Sequence, residues 1–129
     1  MKFNELPTHD RKGTRPLDVE NGIIKSLSIS NGDHGCLTAW LNIEFDGGGC
    51  GFGGYMLGKA DGGNLDAPGN YAGEFLVRCM NTVGQEKWED LKGRPVRVLH
   101  EGIGGTIVAV GHYLKDDWFC PRKEFEKCS

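Results

Sequence analysis

The chain has 129 residues, of which 38% are hydrophobic and 26% are charged, and its formal net charge is −3 at pH 7. This composition is typical of one globular domain, and the negative charge argues against binding to duplex nucleic acid. No apolar run approaches the roughly 20 residues that span a bilayer, and the polar residues 1–20 lack the apolar core of a secretory signal. We therefore expect a cytoplasmic protein that does not enter the membrane.

The five cysteines are odd in number and contain no CxxC pair. This pattern is typical of thiols in a reducing compartment. His34, Cys36 and Cys50 are the best candidates for a zinc site, but no fourth ligand stands at a supporting spacing. We predict neither a metal nor a cofactor.

The chain divides into three parts. Residues 1–21 hold two prolines and mixed charges, which predicts a flexible N-terminal arm. Residues 22–120 form the single predicted domain, and residues 121–129 form a charged C-terminal tail.

The domain begins with a predicted hairpin. Ile23, Leu27 and Ile29 alternate with serines, and after an Asn-Gly turn the segment 37–45 repeats the alternation on its odd positions. Period-2 alternation of apolar and polar residues indicates half-buried strands.

A glycine-rich third strand is predicted from Cys50 to Leu57. Nine of the 21 glycines lie in the segment 47–63, and Gly51 and Gly53 share one side of the strand. Because glycine has no side chain, this side predicts a shallow trough against which another molecule can lie.

The most regular pattern in the chain follows the third strand and predicts a helix that Asn70 caps and Gly84 ends. Its apolar stripe consists of Tyr71, Phe75, Leu76, Cys79, Met80 and Val83. Strands are then predicted for the segments 95–99 and 106–114. The order β-β-β-α-β-β predicts an α+β fold in which an antiparallel sheet of about five strands carries one main helix on a face.

No catalytic motif identifies an enzyme. The sequence contains no GxGxxG followed by a helix, no GxxxxGK[ST] and no GxSxG. A nucleophile built from Cys36 or Cys50 with His34, His100 or His112 stays open, because the sequence does not show whether these residues meet. We predict a protein that is not an enzyme.

Aromatic and cationic residues concentrate where the last predicted strand ends, and such mixtures bind bases or proteins. Together with the glycine-rich strand they predict a nucleotide-type ligand site, and the alternative is that Trp118 and Phe119 are core residues. The predicted ligand-binding residues are Phe52, Gly53, Gly54, Tyr55, Arg78, Arg97, His112, Lys115 and Trp118.

Four segments carry a resemblance to a known family: GFGGY (51–55), EFLVR (74–78), WEDLKG (88–93) and GHYLKDDWF (111–119). Over residues 22–120 the chain resembles a family of small phage and prophage accessory proteins. The resemblance implies action in a bacterial host cell, where such proteins often counter host defences. It implies no catalytic residues.

From this context we expect an anti-defence protein that sequesters a small nucleotide-type immune signal without catalysis, as a homodimer or larger oligomer. Two alternatives remain open. One is an inhibitor that binds a protein of a host defence complex, and the other is an enzyme that degrades the nucleotide signal.

Overall fold

The structure is a computed structural model that describes residues 1–10, 12–33, 36–45, 48–59, 73–102 and 106–126, with the backbone alone for 31–33, 36–37, 54–59 and 126. Its main feature is an antiparallel six-stranded sheet in the order β3-β2-β1-β4-β5-β6. The strands are β1 (Asp18–Asp33), β2 (Cys36–Phe45), β3 (Gly48–Lys59), β4 (Pro95–His100), β5 (Ile107–His112) and β6 (Trp118–Phe119). The helices are α1 (Glu74–Val83) and α2 (Pro121–Glu126), with 3-10 turns at Phe3–Glu5 and Trp88–Leu91.

The predicted α+β fold is confirmed, but the sheet has six strands rather than five. The sequence predicts that residues 115–119 leave the sheet, whereas β6 pairs through Trp118 with Gly111. A tight turn returns the chain, because the backbone N–H of His112 donates to the carbonyl of Asp117 at 2.9 Å. The segment predicted as a charged tail begins with α2, which buries Phe125.

The alternation predicted for β1 breaks at one residue. Ile24 pairs with Ile43 and Ser26 pairs with Asn42, so Lys25 is an extra residue that bulges from the strand. Ile24 is therefore fully buried, while Ile23 points to the other face and is 45% exposed. The alternation predicts Ile23 on the same face as Leu27, and the bulge is the reason why this prediction is wrong.

The main core lies between the sheet and α1. The helix buries Phe75, Cys79, Thr82 and Val83. The prediction that Gly84 ends the helix is confirmed, because Gly84 has a left-handed backbone (φ 89°) and its N–H donates to the carbonyl of Met80. The predicted start at residues 70–72 lies outside the described residues. Four rings with centroids 5.7–5.9 Å apart stabilise the centre of this core: Phe52, Phe75, Phe119 and Phe125.

The described residues cover the second face of the sheet at one end. The sequence predicts a flexible arm over residues 1–21, but in the structure β1 already begins at Asp18 and the residues before it cover strands β4–β6. Leu6 is buried there against a small second core that includes Leu99, Ala109 and Trp118.

Over β1–β3 the part of the chain that the structure describes leaves the same side exposed, and we call this surface, with Ile23, Trp40, Asn42 and Glu44, the open face.

Among the described residues, no helix combines the length and the apolar character that crossing a membrane requires.

We predict that Gly53→Ala destabilises the protein by about 2–4 kcal/mol. Gly53 has a φ of 123°, and an added Cβ would lie 2.4 Å from the carbonyl oxygen of Ala39 and 2.8 Å from the Phe75 ring. Urea unfolding measures the change. Gly48→Ala is the matched control, because an added Cβ there meets no atom within 4 Å, and an equal loss of stability in both variants would contradict the prediction.

Candidate functional site

The structure brings together four of the predicted ligand-binding residues: Arg97, His112, Lys115 and Trp118. Their contacts are with one another and with the backbone of this segment. The Arg97 guanidinium donates from Nε to the carbonyl of His112 (2.9 Å) and from Nη2 to the carbonyl of Lys115 (2.7 Å). It also lies 4.9 Å from the centre of the Trp118 ring. His112 Nδ1 accepts from the backbone N–H groups of Leu114 and Lys115. These contacts stabilise the turn between β5 and β6.

Trp118 has no exposed surface. Its indole fills the space above Gly111, where an added Cβ would lie 2.5 Å from the ring. Of the two alternatives stated for Trp118 and Phe119, the described geometry agrees with core residues. A base can stack on Trp118 only if the second core opens.

Arg78 lies on the opposite side of the sheet. Its Nε donates to Oε1 of Glu124 at 2.8 Å and its Nη2 donates to the carbonyl of Trp118 at 3.1 Å. The guanidinium also lies 5.2 Å from the centre of the Phe119 ring. Because this ion pair is only about one-fifth exposed, Arg78 joins α1 to α2 and β6 rather than facing solvent.

The trough predicted along the third strand is filled by the protein itself. An added Cβ at Gly51 would lie 2.8 Å from the Trp40 ring, and at Gly53 the Phe75 ring is equally close. Phe52 is buried in the main core. Gly54 belongs to β3, and the side chain of Tyr55 lies outside the described residues. The nine predicted residues therefore do not share one pocket.

A different concavity lies on the open face. It has a volume of about 510 Å³, which is within the range of small-molecule pockets. We call it the open-face groove, and its lining residues are Asn21, Gly22, Ile23, Glu44, Phe45, Gly48, Pro95 and Tyr113. Of the nine predicted residues, none of those whose side chains the structure describes lines this groove.

A smaller concavity of about 290 Å³ adjoins the groove and shares Glu44 with it. We call it the glycine hollow, and its lining residues are Lys25, Asn42, Ile43, Glu44, Gly49, Cys50 and Gly51. Lys25 Nζ lies 4.0 Å from Glu44 Oε2, and both side chains are more than half exposed. Such an exposed ion pair is weak, so both groups can exchange their contact for a ligand.

The groups in these two concavities suit a planar heterocycle. Tyr113 offers a ring that is 41% exposed, and Ile23 offers an exposed apolar side chain. The Glu44 carboxylate accepts hydrogen bonds, and the Asn21 amide both donates and accepts them. Lys25 supplies the one cation among the lining residues described for the two concavities.

The sequence does not point to these residues. The alternation predicts Ile23 on the buried face, because the bulge at Lys25 has no signal in that pattern. Tyr113 stands in the aromatic segment for which the sequence predicts a ligand site, but the predicted ligand-binding residues there are its neighbours His112 and Lys115. That segment is the signal that the sequence offers for the groove.

The buried cysteines are unsuited to nucleophilic attack. Burial raises the pKa of the Cys79 thiol, with a small opposing effect of Arg78, and burial also raises the pKa of Cys120. Both side chains therefore hold their proton, whereas the thiolate is the reactive form. Of the candidates named from the sequence, His34 and the side chain of Cys36 lie outside the described residues.

His100 is buried and points its Nε2 at the Glu20 carboxylate. Nδ1 of His100 accepts from the backbone N–H of Gly102 at 3.0 Å, and Nε2 lies 3.5 Å from Oε1 of Glu20. In the neutral ring this leaves the proton on Nε2, so neither nitrogen is poised to accept a proton from a substrate. Within the described ranges no group of three or more His, Cys, Asp or Glu side chains is placed to hold a metal ion.

We predict that iodoacetamide does not label Cys79 or Cys120 in the folded protein at pH 8. Both thiols are buried and their raised pKa values keep them protonated. Mass spectrometry of peptides after labelling, with and without urea, measures the modification. Half-buried Cys50 is the internal comparison, and labelling of Cys79 at the same rate as Cys50 would show the prediction to be wrong.

Comparison of the chain with protein-family models, with curated proteins and with solved structures found no match. The similarity to phage accessory proteins therefore stays a prediction.

Proposed function

We propose that the chain is a non-catalytic binding protein that sequesters a small nucleotide-type ligand in the open-face groove. One observation carries this proposal: a ring, a carboxylate and an amide (Tyr113, Glu44 and Asn21) face one concavity of ligand size on a surface that the described residues leave open. The proposal keeps the ligand class expected from the sequence but moves the site to other residues.

The groove supplies what a base needs. Stacking of a base on an aromatic side chain is worth about 1–3 kcal/mol, and Tyr113 offers a half-exposed ring for it. The carboxylate of Glu44 accepts from two neighbouring N–H groups at the edge of a base. A base that presents such a pair of donors is therefore preferred.

The glycine hollow supplies the place for a phosphate. Lys25 lines the hollow together with Gly49, which has no side chain to keep a phosphate away from the backbone. The positive charge of Lys25 is opposed by Glu44. This balance favours a ligand with one or two phosphate charges over a triphosphate.

The cellular role follows from the resemblance alone. A phage accessory protein acts in a bacterial host, where a nucleotide immune signal is the natural target of a sequestering protein. In this proposal the chain lowers the free concentration of that signal by binding it without degrading it.

A second candidate function is inhibition of a host defence protein. Ile23 and Trp40 are both exposed large hydrophobic side chains on the open face. Aromatic and apolar groups of this kind are frequent centres of protein interfaces. A protein partner on this surface would cover the groove as well, so the two functions compete for one site.

We predict that calorimetry against nucleoside monophosphates and cyclic nucleotides finds at least one ligand, and that Tyr113→Ala weakens its binding by about 5–150-fold through lost stacking. Leu114→Ala is the matched control, because Leu114 is the next residue, is 83% exposed and does not line the groove. Glu44→Gln tests the carboxylate in the same assay.

If calorimetry detects no binding to any ligand of the panel, and circular dichroism shows that the protein is folded, the sequestering role is contradicted. Equal affinity of the Tyr113→Ala variant would contradict the site. Retention of a host protein from bacterial lysate by the native chain but not by Trp40→Ala would favour the inhibitor.

A further inference from the structure

The two edge strands of the sheet, β6 and β3, differ in how their outer sides are paired. At β6 the chain pairs its own first residue with the edge, because the backbone nitrogen of Met1 donates to the carbonyl of Trp118 (3.0 Å) and the Trp118 N–H donates to the carbonyl of Met1 (2.8 Å). The edge at β6 is thus short and covered. In the described sheet, β3 pairs with β2 alone.

The edge at β3 lacks most of the devices that keep strands from pairing with other chains. Natural edge strands are blunted by short length, lysine, proline or bulges. β3 has 12 residues, and from Gly48 to Gly58 it contains neither a charged residue nor a proline. Its register with β2 shifts at two places, between Gly53 and Met56 and between Met56 and Gly58. The segment 48–52 before these shifts pairs one to one with β2.

We propose that this segment pairs antiparallel with the same segment of a second copy, so that two sheets join across a two-fold axis at Cys50. This inference does not depend on the proposed ligand. Antiparallel pairing of a strand with itself is isologous, so both copies satisfy the same backbone groups. An uncharged segment brings no like charges together in that arrangement.

The side chains agree with this register. Around Cys50, Gly49 of one copy stands opposite Gly51 of the second copy, on the open face. Two facing glycines have no side chains to collide. Trp40, which lies against Gly51, then borders a floor of four glycines together with Trp40 of the second copy. The glycine hollows of both copies meet at this floor, so each hollow gains a wall that one chain does not provide.

The mass of the protein in solution tests the proposal without any ligand. Sedimentation velocity over a concentration series is expected to give a species with twice the mass of one chain. Gly48→Lys is expected to shift it to the mass of one chain, because it adds a charge to the edge where an added Cβ meets no atom within 4 Å. Asn81→Lys adds the same charge on the exposed side of α1 and is expected to leave the dimer intact.

Cross-linking tests the position of the axis. In the variant Cys36→Ser/Cys128→Ser, diamide is expected to join two chains through Cys50. The two thiols lose two protons and two electrons, which reduce diamide to its hydrazine. Opposed residues of antiparallel strands have Cα atoms about 4.5–5.5 Å apart, a separation that disulfides accept. A further Cys50→Ser change is expected to abolish the cross-link.

Three results would overturn the proposal. They are the mass of one chain at every concentration, a dimer that persists in Gly48→Lys, and a cross-link that survives Cys50→Ser. Because these readings need no nucleotide, a dimer that binds nothing in the panel would reject the proposed function and leave the pairing intact.

Discussion

The two-residue strand β6 contributes one side chain to the core on each face of the sheet. Trp118 contributes to the small core under the N-terminal residues, and Phe119 contributes to the main core under α1. Arg97 lies over the first ring and Arg78 over the second. Two guanidinium groups on opposite sides of the sheet therefore stabilise one short strand, which has too few backbone hydrogen bonds to be stable by itself.

This arrangement explains why the ligand-binding residues predicted from the sequence do not meet in one pocket. Aromatic and cationic residues in one segment are equally suited to binding a base and to cation–π contacts inside a protein. Arg97 uses its donors on two backbone carbonyls of the turn, and Trp118 is fully buried. Composition points to this segment, but it does not show which of its residues face solvent.

The fold could be predicted further than the site because its signals are periodic. Helix α1 followed from its apolar stripe and from Gly84, and the strands followed from alternation. A strand of two residues carries no period, so β6 was missed. The cover that residues 1–17 provide was missed as well, because a few apolar residues such as Leu6 do not show which surface they meet. The open-face groove depends on residues from β1, β2, β4 and the turn after β5, whose meeting only tertiary structure determines.

The bulge at Lys25 has a wider consequence for how this surface is composed. Strand β1 is shared by two neighbours, with β4 alongside its first part and β2 alongside its remainder. In a strand with an unbroken two-residue repeat, every second residue of both parts would point to the same face of the sheet. The inserted residue shifts the alternation by one position. The positions that point inward therefore differ between the part beside β4 and the part beside β2. The hydrophobic surface at Ile23 is thus the by-product of a phase change, and a one-residue deletion in β1 would alter the chemistry of an entire surface.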